Sequence, residues 1–326
     1  RAIPMTLPKI GFIGLGNVGS SLAGNLIRHG ADLTVRDLDP ELVAKFVALG
    51  AKSASSPKAM AEQVDVVITC LPSPAASALV LEAADGVIAG LSPGKIWIEM
   101  STTDEAEIKR LAPLVAATGA LAMECPVSGG CHRAATGNIS IFAGGDRAGF
   151  ERVLPILKLL GTQILHTGAI GTASVLKVMT NFLCTTHLIA LAEALTTMKV
   201  VGLDMNTVYE AIRISSGNSF VHETESQVIL NGSRDINFTM DLVIKDVGLF
   251  DSIARKHHVP LDMSPLVLEV FKKSAAAYGP REFSPNVIRR YEEPMGVKVL
   301  GVGFPAQMTD DKPKEMGYEV VPANRL

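Results

Sequence analysis

The sequence predicts an α/β fold in two parts: a doubly wound domain with a mostly parallel sheet, then an all-α domain joined to it by a long interdomain helix. Three observations carry that expectation. Short apolar runs alternate with helical patterns through the first half of the chain, the first of those runs empties into GLGNVG at residues 14–19, and strand periodicity almost vanishes beyond residue 168. At 326 residues the chain exceeds the size at which single cores stop growing, so a division is expected in any case. The expected parts are residues 1–166, residues 167–293 and a C-terminal extension over residues 294–326.

Residues 9–16, KIGFIGLG, form the apolar run of a buried parallel strand and lead into the GxGxxG of Gly14, Gly16 and Gly19. In a Rossmann-type unit the first glycine makes the tight turn, the second lets the backbone approach a pyrophosphate, and the third packs helix on strand. The loop, with Asn17 and Val18, is therefore a candidate dinucleotide seat. The following helix sets Leu22, Leu26 and Ile27 on one face and stops at Gly30. A strand over residues 32–36 ends at Asp37, 18 residues beyond the last glycine, where a carboxylate accepts hydrogen bonds from ribose hydroxyls. Its charge repels a 2′-phosphate and favours NAD, while Arg36 beside it keeps NADP open. Asp39 is the better cap for the helix that begins at Pro40.

Helices over residues 40–49 and 57–63 precede a strand over residues 64–71, VDVVITCL. Its end at Leu71 and Pro72 is a further candidate cofactor contact, and Pro72 and Pro74 stop the strand and start a helix. A strand over residues 95–101, KIWIEMS, runs into Thr102, Thr103 and Asp104, which cap a helix ending near Gly119. Thr102 reads either as a plain cap or as a contact to cofactor or substrate at the strand ends. Residues 120–127 form one more strand and empty into Ser128, Gly129 and Gly130, whose exposed N–H groups offer a carboxylate seat or an ordinary turn. A strand over residues 138–143, the GGD of residues 144–146, an amphipathic helix to Leu160 and a strand over residues 163–166 complete the alternation.

Beyond it, GAIGTASVLKVMTNF at residues 168–182 enters a long apolar helix carrying Lys177 and, one turn later on the same face, Asn181. The lysine reads equally as a snorkelling side chain and as a chemical group. Residues 206–214 and 241–256 are helical, and Lys245, beside Asp246, has Asp241 four residues before it for a local pair. The glycine pair in VLGVGF lacks a third glycine and a following helix, which makes the tail an extension and not a second nucleotide site.

A net charge of -3 with mixed signs gives no footprint for nucleic acid or a membrane surface. The most apolar stretch, residues 173–200, is interrupted by Lys177, Asn181, His187, Glu193 and Lys199, which argues against a membrane span. The first residues lack a signal peptide's apolar region, so Met5 is a candidate natural start and the expected location is cytoplasmic. Cys70, Cys125, Cys131 and Cys184 have no metal-binding spacing and read as small buried thiols, with no metal site expected. The apolar helices of so small a second domain imply surface shared with another copy, in a homodimer or homotetramer.

Four blocks in order, GFIGLGNVG, PVSGG, GAIGTASVLKVMTN and IKDVGL, resemble the β-hydroxyacid dehydrogenase family typified by 3-hydroxyisobutyrate dehydrogenase, over about residues 9–293. The resemblance implies that Ser128, Gly129 and Gly130 hold the substrate carboxylate, that Lys177 is the catalytic lysine and that Asn181 fixes the substrate's oxygens. It also implies Lys245 near both nicotinamide and substrate, and Thr102 near the nicotinamide. A lysine desolvated in an apolar cleft could take the hydroxyl proton as hydride leaves for the nicotinamide. The chain departs from the family at Glu124 and Cys125, where Asp-Ala is common, and at Cys131, His132 and Arg133, where small residues are usual.

The expected activity is hydride transfer between NAD and a small 3-hydroxyacid. The alternatives are a reductase of di-anionic or glyoxylate-type aldehydes, Arg133 favouring a second anionic group if it faces the cleft, and a cofactor-binding module without chemistry.

Overall fold

The computed structural model describes residues 7–323; Met5, on which the expected start rests, lies outside the described residues. The chain forms two compact units, one running to Lys177 and resuming at Asp310, the other Val178–Thr309.

In the first unit, the strands are β1 (Ile10–Ile13), β2 (Leu33–Arg36), β3 (Lys52–Ser53), β4 (Val66–Thr69), β5 (Ile96–Glu99), β6 (Leu121–Glu124), β7 (Val127–Ser128), β8 (Ile139–Gly144), β9 (Gly161–Gly168) and β10 (Tyr318–Glu319). They lie in the order β10-β9-β8-β6-β5-β4-β1-β2-β3, with β7 on β8. All pairings from β3 through to β6 are parallel. The strand order reverses between β1 and β4, so the crevice for a ligand opens at their C-terminal ends. β8 runs antiparallel to β6 and β7 and parallel to β9, which carries β10.

Helices cover both faces: α1 (Asn17–Arg28), α2 (Pro40–Ala48), α3 (Pro57–Gln63), α4 (Pro74–Glu82), α5 (Val87–Gly90), α6 (Glu105–Ala116), α7 (Gly130–Thr136) and α8 (Arg147–Leu160). The apolar runs follow from this burial, because successive strand side chains point to opposite covered faces. Phe12, Ile68 and Ile98 pack with Leu22 and Leu26 of α1 and Phe150 of α8. Ile13, Val67 and Trp97 point the other way, towards Met60, Leu81, Ile108 and Leu111.

The second unit is helical: α9 (Thr172–Val201), which starts in the first unit, then α10 (Met205–Arg213), α11 (Phe220–Asn231), α12 (Met240–Lys256), α13 (Met263–Tyr278), a 3-10 turn (Ser284–Ile288) and α14 (Arg289–Met295). Asp204 and Ser219 start α10 and α11 by accepting from the Thr207 and His222 amides. Leu188, Leu191, Leu195, Val247, Phe271 and Ile288 share one core.

Several sequence expectations need correction. The strand over residues 120–127 is two strands, broken at Cys125 and Pro126; Pro126 has no N–H to donate, and β7 turns to pair with β8. Of the four cysteines only Cys125 is buried; Cys70, Cys131 and Cys184 are partly exposed. α9 spans 30 residues with a mean hydropathy of 1.5 in its most apolar window, so by length and composition it is long and apolar enough to cross a membrane. Its buried Leu188, Leu191, Ala192 and Leu195 pack into the helical core, which accounts for the apolar character. The tail divides: Val299 joins the helical core and Asn231 Nδ2 donates to the Phe304 carbonyl at 2.7 Å, whereas the chain from Asp310 belongs to the first unit.

Candidate active site

The crevice of the first unit is built on backbone close approach. Gly14 has φ +99°, and a side chain there would run into the Cys70 carbonyl, just as one at Gly19 would run into the Gly14 carbonyl. A side chain at Gly16 would meet nothing within 4 Å. The turn and helix packing thus explain Gly14 and Gly19, and the space beside Gly16 fits a pyrophosphate drawn close to the backbone. Gly16 is the N-cap of α1 and offers no side-chain acceptor, so the first-turn N–H groups and the helix dipole favour an anion. Asn17 and Val18 open that helix.

Asp37 closes the loop from the β2 side, its Oδ2 accepting from the Leu15 amide at 2.6 Å and its Oδ1 from the Asp39 amide at 2.9 Å. Asp39 caps α2. Arg36 donates to the Ser55 carbonyl at 2.8 Å and the Ala54 carbonyl at 3.2 Å.

At the ends of β4 and β5 a buried network sets the backbone before Pro72. The Leu71 amide donates to Ser101 Oγ at 2.7 Å, and the Ser101 hydroxyl donates to Glu99 Oε1. Burial pushes the Glu99 carboxyl above its ordinary range. Asp104, not Thr102, caps α6 by accepting from the Ala106 amide, so the capping explanation for Thr102 falls away.

Ser128 ends β7, paired with Ser140 of β8, and Gly129 and Gly130 follow at φ +130° and +86°, conformations that side chains rarely adopt. This places consecutive backbone N–H groups at the entry to α7. His132 lies in α7, where burial first and then Arg133 depress its basicity, against the pull of Asp310. The stem of Arg133 lies against Gly129, with Cδ 3.2 Å from where a side chain would start.

The entry to α9 holds a feature that sequence reading missed. Glu124, wholly buried at the end of β6, accepts from the Gly171 amide at 2.6 Å and the Ala173 amide at 3.0 Å through Oε1. Its Oε2 accepts from the Ser174 amide at 3.1 Å and from the Ser174 hydroxyl. Gly171, at φ +99°, makes the turn. Burial raises the Glu124 carboxyl despite these bonds. Lys177, itself buried, follows Ser174 by three residues on the clamped helix.

In the second unit, Asp246 of α12 is buried and joins two expected site residues: Asn181 Nδ2 donates to its Oδ2 at 2.6 Å, and Lys245 Nζ lies 3.0 Å from its Oδ1. Asp241, expected to partner Lys245, pairs with Arg281 at 3.0 Å. Sequence spacing hid Asp246, because its partner on α9 lies 65 residues away.

Residues 9–168 match the family model described as the NAD binding domain of 6-phosphogluconate dehydrogenase, and residues 171–291 match that of the NAD-binding of NADP-dependent 3-hydroxyisobutyrate dehydrogenase. The chain is 33% identical to 2-(hydroxymethyl)glutarate dehydrogenase of Eubacterium barkeri, over 90% of this chain and 98% of that one. It is 32% identical to mitochondrial 3-hydroxyisobutyrate dehydrogenase of Mus musculus, over 87% and 88%. Its fold superposes on the crystal structure of 3-hydroxyisobutyrate dehydrogenase from Salmonella typhimurium with a TM-score of 0.80 at 28% identity, covering 86% of this chain and 99% of that one.

Proposed function

We propose, for a chain that belongs to the β-hydroxyacid dehydrogenase family of the 3-hydroxyisobutyrate dehydrogenase type, that Lys177 is the general acid and base of the reaction. The enzyme is an NAD(P)-dependent 3-hydroxyacid dehydrogenase, transferring a hydride between the cofactor and a small hydroxyacid. The observation that supports the role of Lys177 is its burial just beyond a carboxylate-clamped helix entry, in the same unit as the glycine loop and the turn at Ser128, Gly129 and Gly130.

Bound nicotinamide supplies the hydride acceptor at its C4. Lys177 takes the hydroxyl proton as the C–H bond of the alcohol carbon breaks, and returns it when the carbonyl is reduced. Ser128, Gly129 and Gly130 seat the carboxylate through their N–H groups. The resemblance gives Asn181 to the substrate's oxygens, Lys245 to substrate and nicotinamide, and Thr102 to the nicotinamide, while Leu71 and Pro72 meet the cofactor from the end of β4. Asp246 holds Asn181 by its amide and so orients the acceptor oxygen.

NAD is the preferred cofactor in this reading. Supporting this, the Asp37 carboxylate is held against the glycine loop by the Leu15 amide, and Arg36 is tied to the carbonyls of Ala54 and Ser55. Cysteines that form no disulfide among the described residues suit a reducing, cytoplasmic setting. Exposed Leu183, Val200, Val201 and Leu203 on and after α9 suit burial against a second copy, in a homodimer or homotetramer.

A substrate with a second carboxylate is the other reading, favoured by Arg133 lying over Gly129. A similar enzyme bears the name of a dicarboxylate, 2-(hydroxymethyl)glutarate. The test is NADH formation on a panel of mono- and dicarboxylic 3-hydroxyacids with either cofactor. Turnover of none of them despite tight cofactor binding would end the enzyme reading, and an Arg133→Ala variant with unchanged dicarboxylate KM would end the second.

A further inference from the structure

We propose that the C-terminal extension from Asp310 onward is a brace for the substrate turn, with Asp310 and Lys314 as positioning residues that hold α7 and, through it, Gly129 and Gly130. The proposal rests on the reading that this turn seats the substrate carboxylate.

α7 has seven residues, too few to be stable as an isolated helix, so its placement depends on what holds its ends. Its N-terminal end is the turn itself. Its C-terminal carbonyls need donors from elsewhere. Asn25 of α1 donates to the Ala134 carbonyl at 2.6 Å, and Arg28 donates to the Ala135 carbonyl. The Asn138 amide donates to the Arg133 carbonyl at 2.9 Å, and the extension adds a donor at the cap and an acceptor beside it. Lys314 Nζ donates to the Gly137 carbonyl at 2.6 Å and the Gly161 carbonyl at 3.2 Å. Asp310 Oδ2 accepts from the Thr136 hydroxyl and, at 2.9 Å, from Asn138 Nδ2. Asn138 Oδ1 in turn accepts from the Glu315 amide at 3.2 Å.

The fit is close enough to constrain sequence on both sides. Gly137, at φ +81°, is the C-cap of α7, and a side chain there would meet Lys314 Cδ at 2.9 Å. A side chain at Gly317 would meet the Gly161 carbonyl oxygen at 2.5 Å. Beyond that contact Tyr318 and Glu319 pair with Gln163 and Ile164 of β9, and Arg147 grips Glu319 with two bonds of 2.6 and 2.9 Å. The segment is therefore anchored on the sheet edge and reaches back to the α7 cap.

Asp310 also acts electrostatically. Burial works to raise its carboxyl, but the bonds from Thr136 and Asn138 outweigh this and hold it below its ordinary range. Its charge pulls on His132 and Arg133, the two basic side chains that α7 carries beside the turn.

The experiment compares Asp310→Ala, Asp310→Asn and Lys314→Met in the full chain. It reads hydroxyacid KM and kcat, NADH affinity by fluorescence, and hydrogen exchange of the α7 amides. With two bonds to a charged acceptor removed, Asp310→Ala should raise KM about tenfold. kcat should stay within about twofold and NADH affinity should not move, because the glycine loop is untouched. The α7 amides should exchange faster. Asp310→Asn keeps an acceptor oxygen and should recover most of the KM. Lys314→Met retains the stem, loses the ammonium and should repeat the KM increase even if Asp310→Ala folds poorly. An unchanged KM with unchanged α7 exchange overturns the proposal, as does a parallel loss of kcat, NADH affinity and thermal stability, which marks a general structural role. If Gly129→Ala, which strains the backbone that aims these N–H groups, leaves the wild-type KM unmoved, the carboxylate reading fails by itself, and α7 exchange in the Asp310 and Lys314 variants still decides the brace.

Discussion

Replacing Glu124 by alanine should damage stability and turnover together, because one carboxylate holds the entry of the helix that carries Lys177. The change leaves the amides of Gly171, Ala173 and Ser174 and the Ser174 hydroxyl without their acceptor. A buried donor left unsatisfied costs roughly 1–3 kcal/mol, and water entering the vacated space recovers part, so a net loss of about 3 kcal/mol is expected. Loosening at this point shifts Lys177, and a displacement of about 1 Å in a reacting group costs on the order of 100-fold in rate. Glu124→Gln keeps one acceptor for Gly171 and Ala173 but turns an amide N–H towards Ser174, and should fall between the two. Gly144→Ala should resemble the alanine variant, since its new methyl would displace Glu124. Urea unfolding and initial rates of NADH formation measure both effects, with cofactor affinity as the control. A Glu124→Ala protein within about 0.5 kcal/mol of wild type and with unchanged kcat would refute the reasoning, since this is the range of ordinary surface changes.

Two other outcomes are expected. Gly16→Ala should fold normally and lose cofactor affinity, because its side chain would enter open space where the pyrophosphate approaches, whereas Gly19→Ala should be destabilised even without cofactor; thermal unfolding with and without NADH separates them. Burial raises Glu225 from 4.5 to about 7. The folded state then binds this proton more tightly than the unfolded chain, so its contribution is full below pH 4.5 and fades as pH rises through about 7, a loss of about 3 kcal/mol. Glu225→Gln should flatten that decline in unfolding experiments between pH 4.5 and 8, and parallel curves for the two proteins would contradict the assignment.

The parts of the fold that show in the sequence are those whose causes are local. β1, β4 and β5 are apolar because both their faces are covered, and Gly19 answers to the Gly14 carbonyl of its own turn, whereas Gly14 answers to the Cys70 carbonyl at the end of β4. The two-residue strands β3 and β10 carry no periodicity and exist only through their neighbours. The reversal at β7 and β8 depends on pairings across the hairpin that no spacing rule reports. The site shows the same division. Lys177 and Asn181 stand out as polar groups in an apolar helix, but Glu124 bonds residues 47 to 50 positions away. In the sequence Glu124 is only a departure from Asp-Ala, and the room for its longer side chain comes from Gly144 on the neighbouring strand. Asp246 shows in the sequence only as the neighbour of Lys245, with Asp241 as the local partner, because its buried bond to Asn181 joins two helices.

The central claim is that Lys177 moves the substrate proton. The most direct measurement is the rate of NADH formation from the best hydroxyacid of the panel, for wild type, Lys177→Ala and Lys177→Arg, across pH and with NADH affinity measured on each protein. General acid–base catalysis is worth roughly 100- to 10,000-fold, so both variants should lose at least 100-fold in kcat, lose the acidic limb of the pH profile on which protonation of the lysine removes the base, and bind NADH as wild type does. A Lys177→Ala enzyme that keeps kcat within tenfold and an unaltered pH profile would contradict the account.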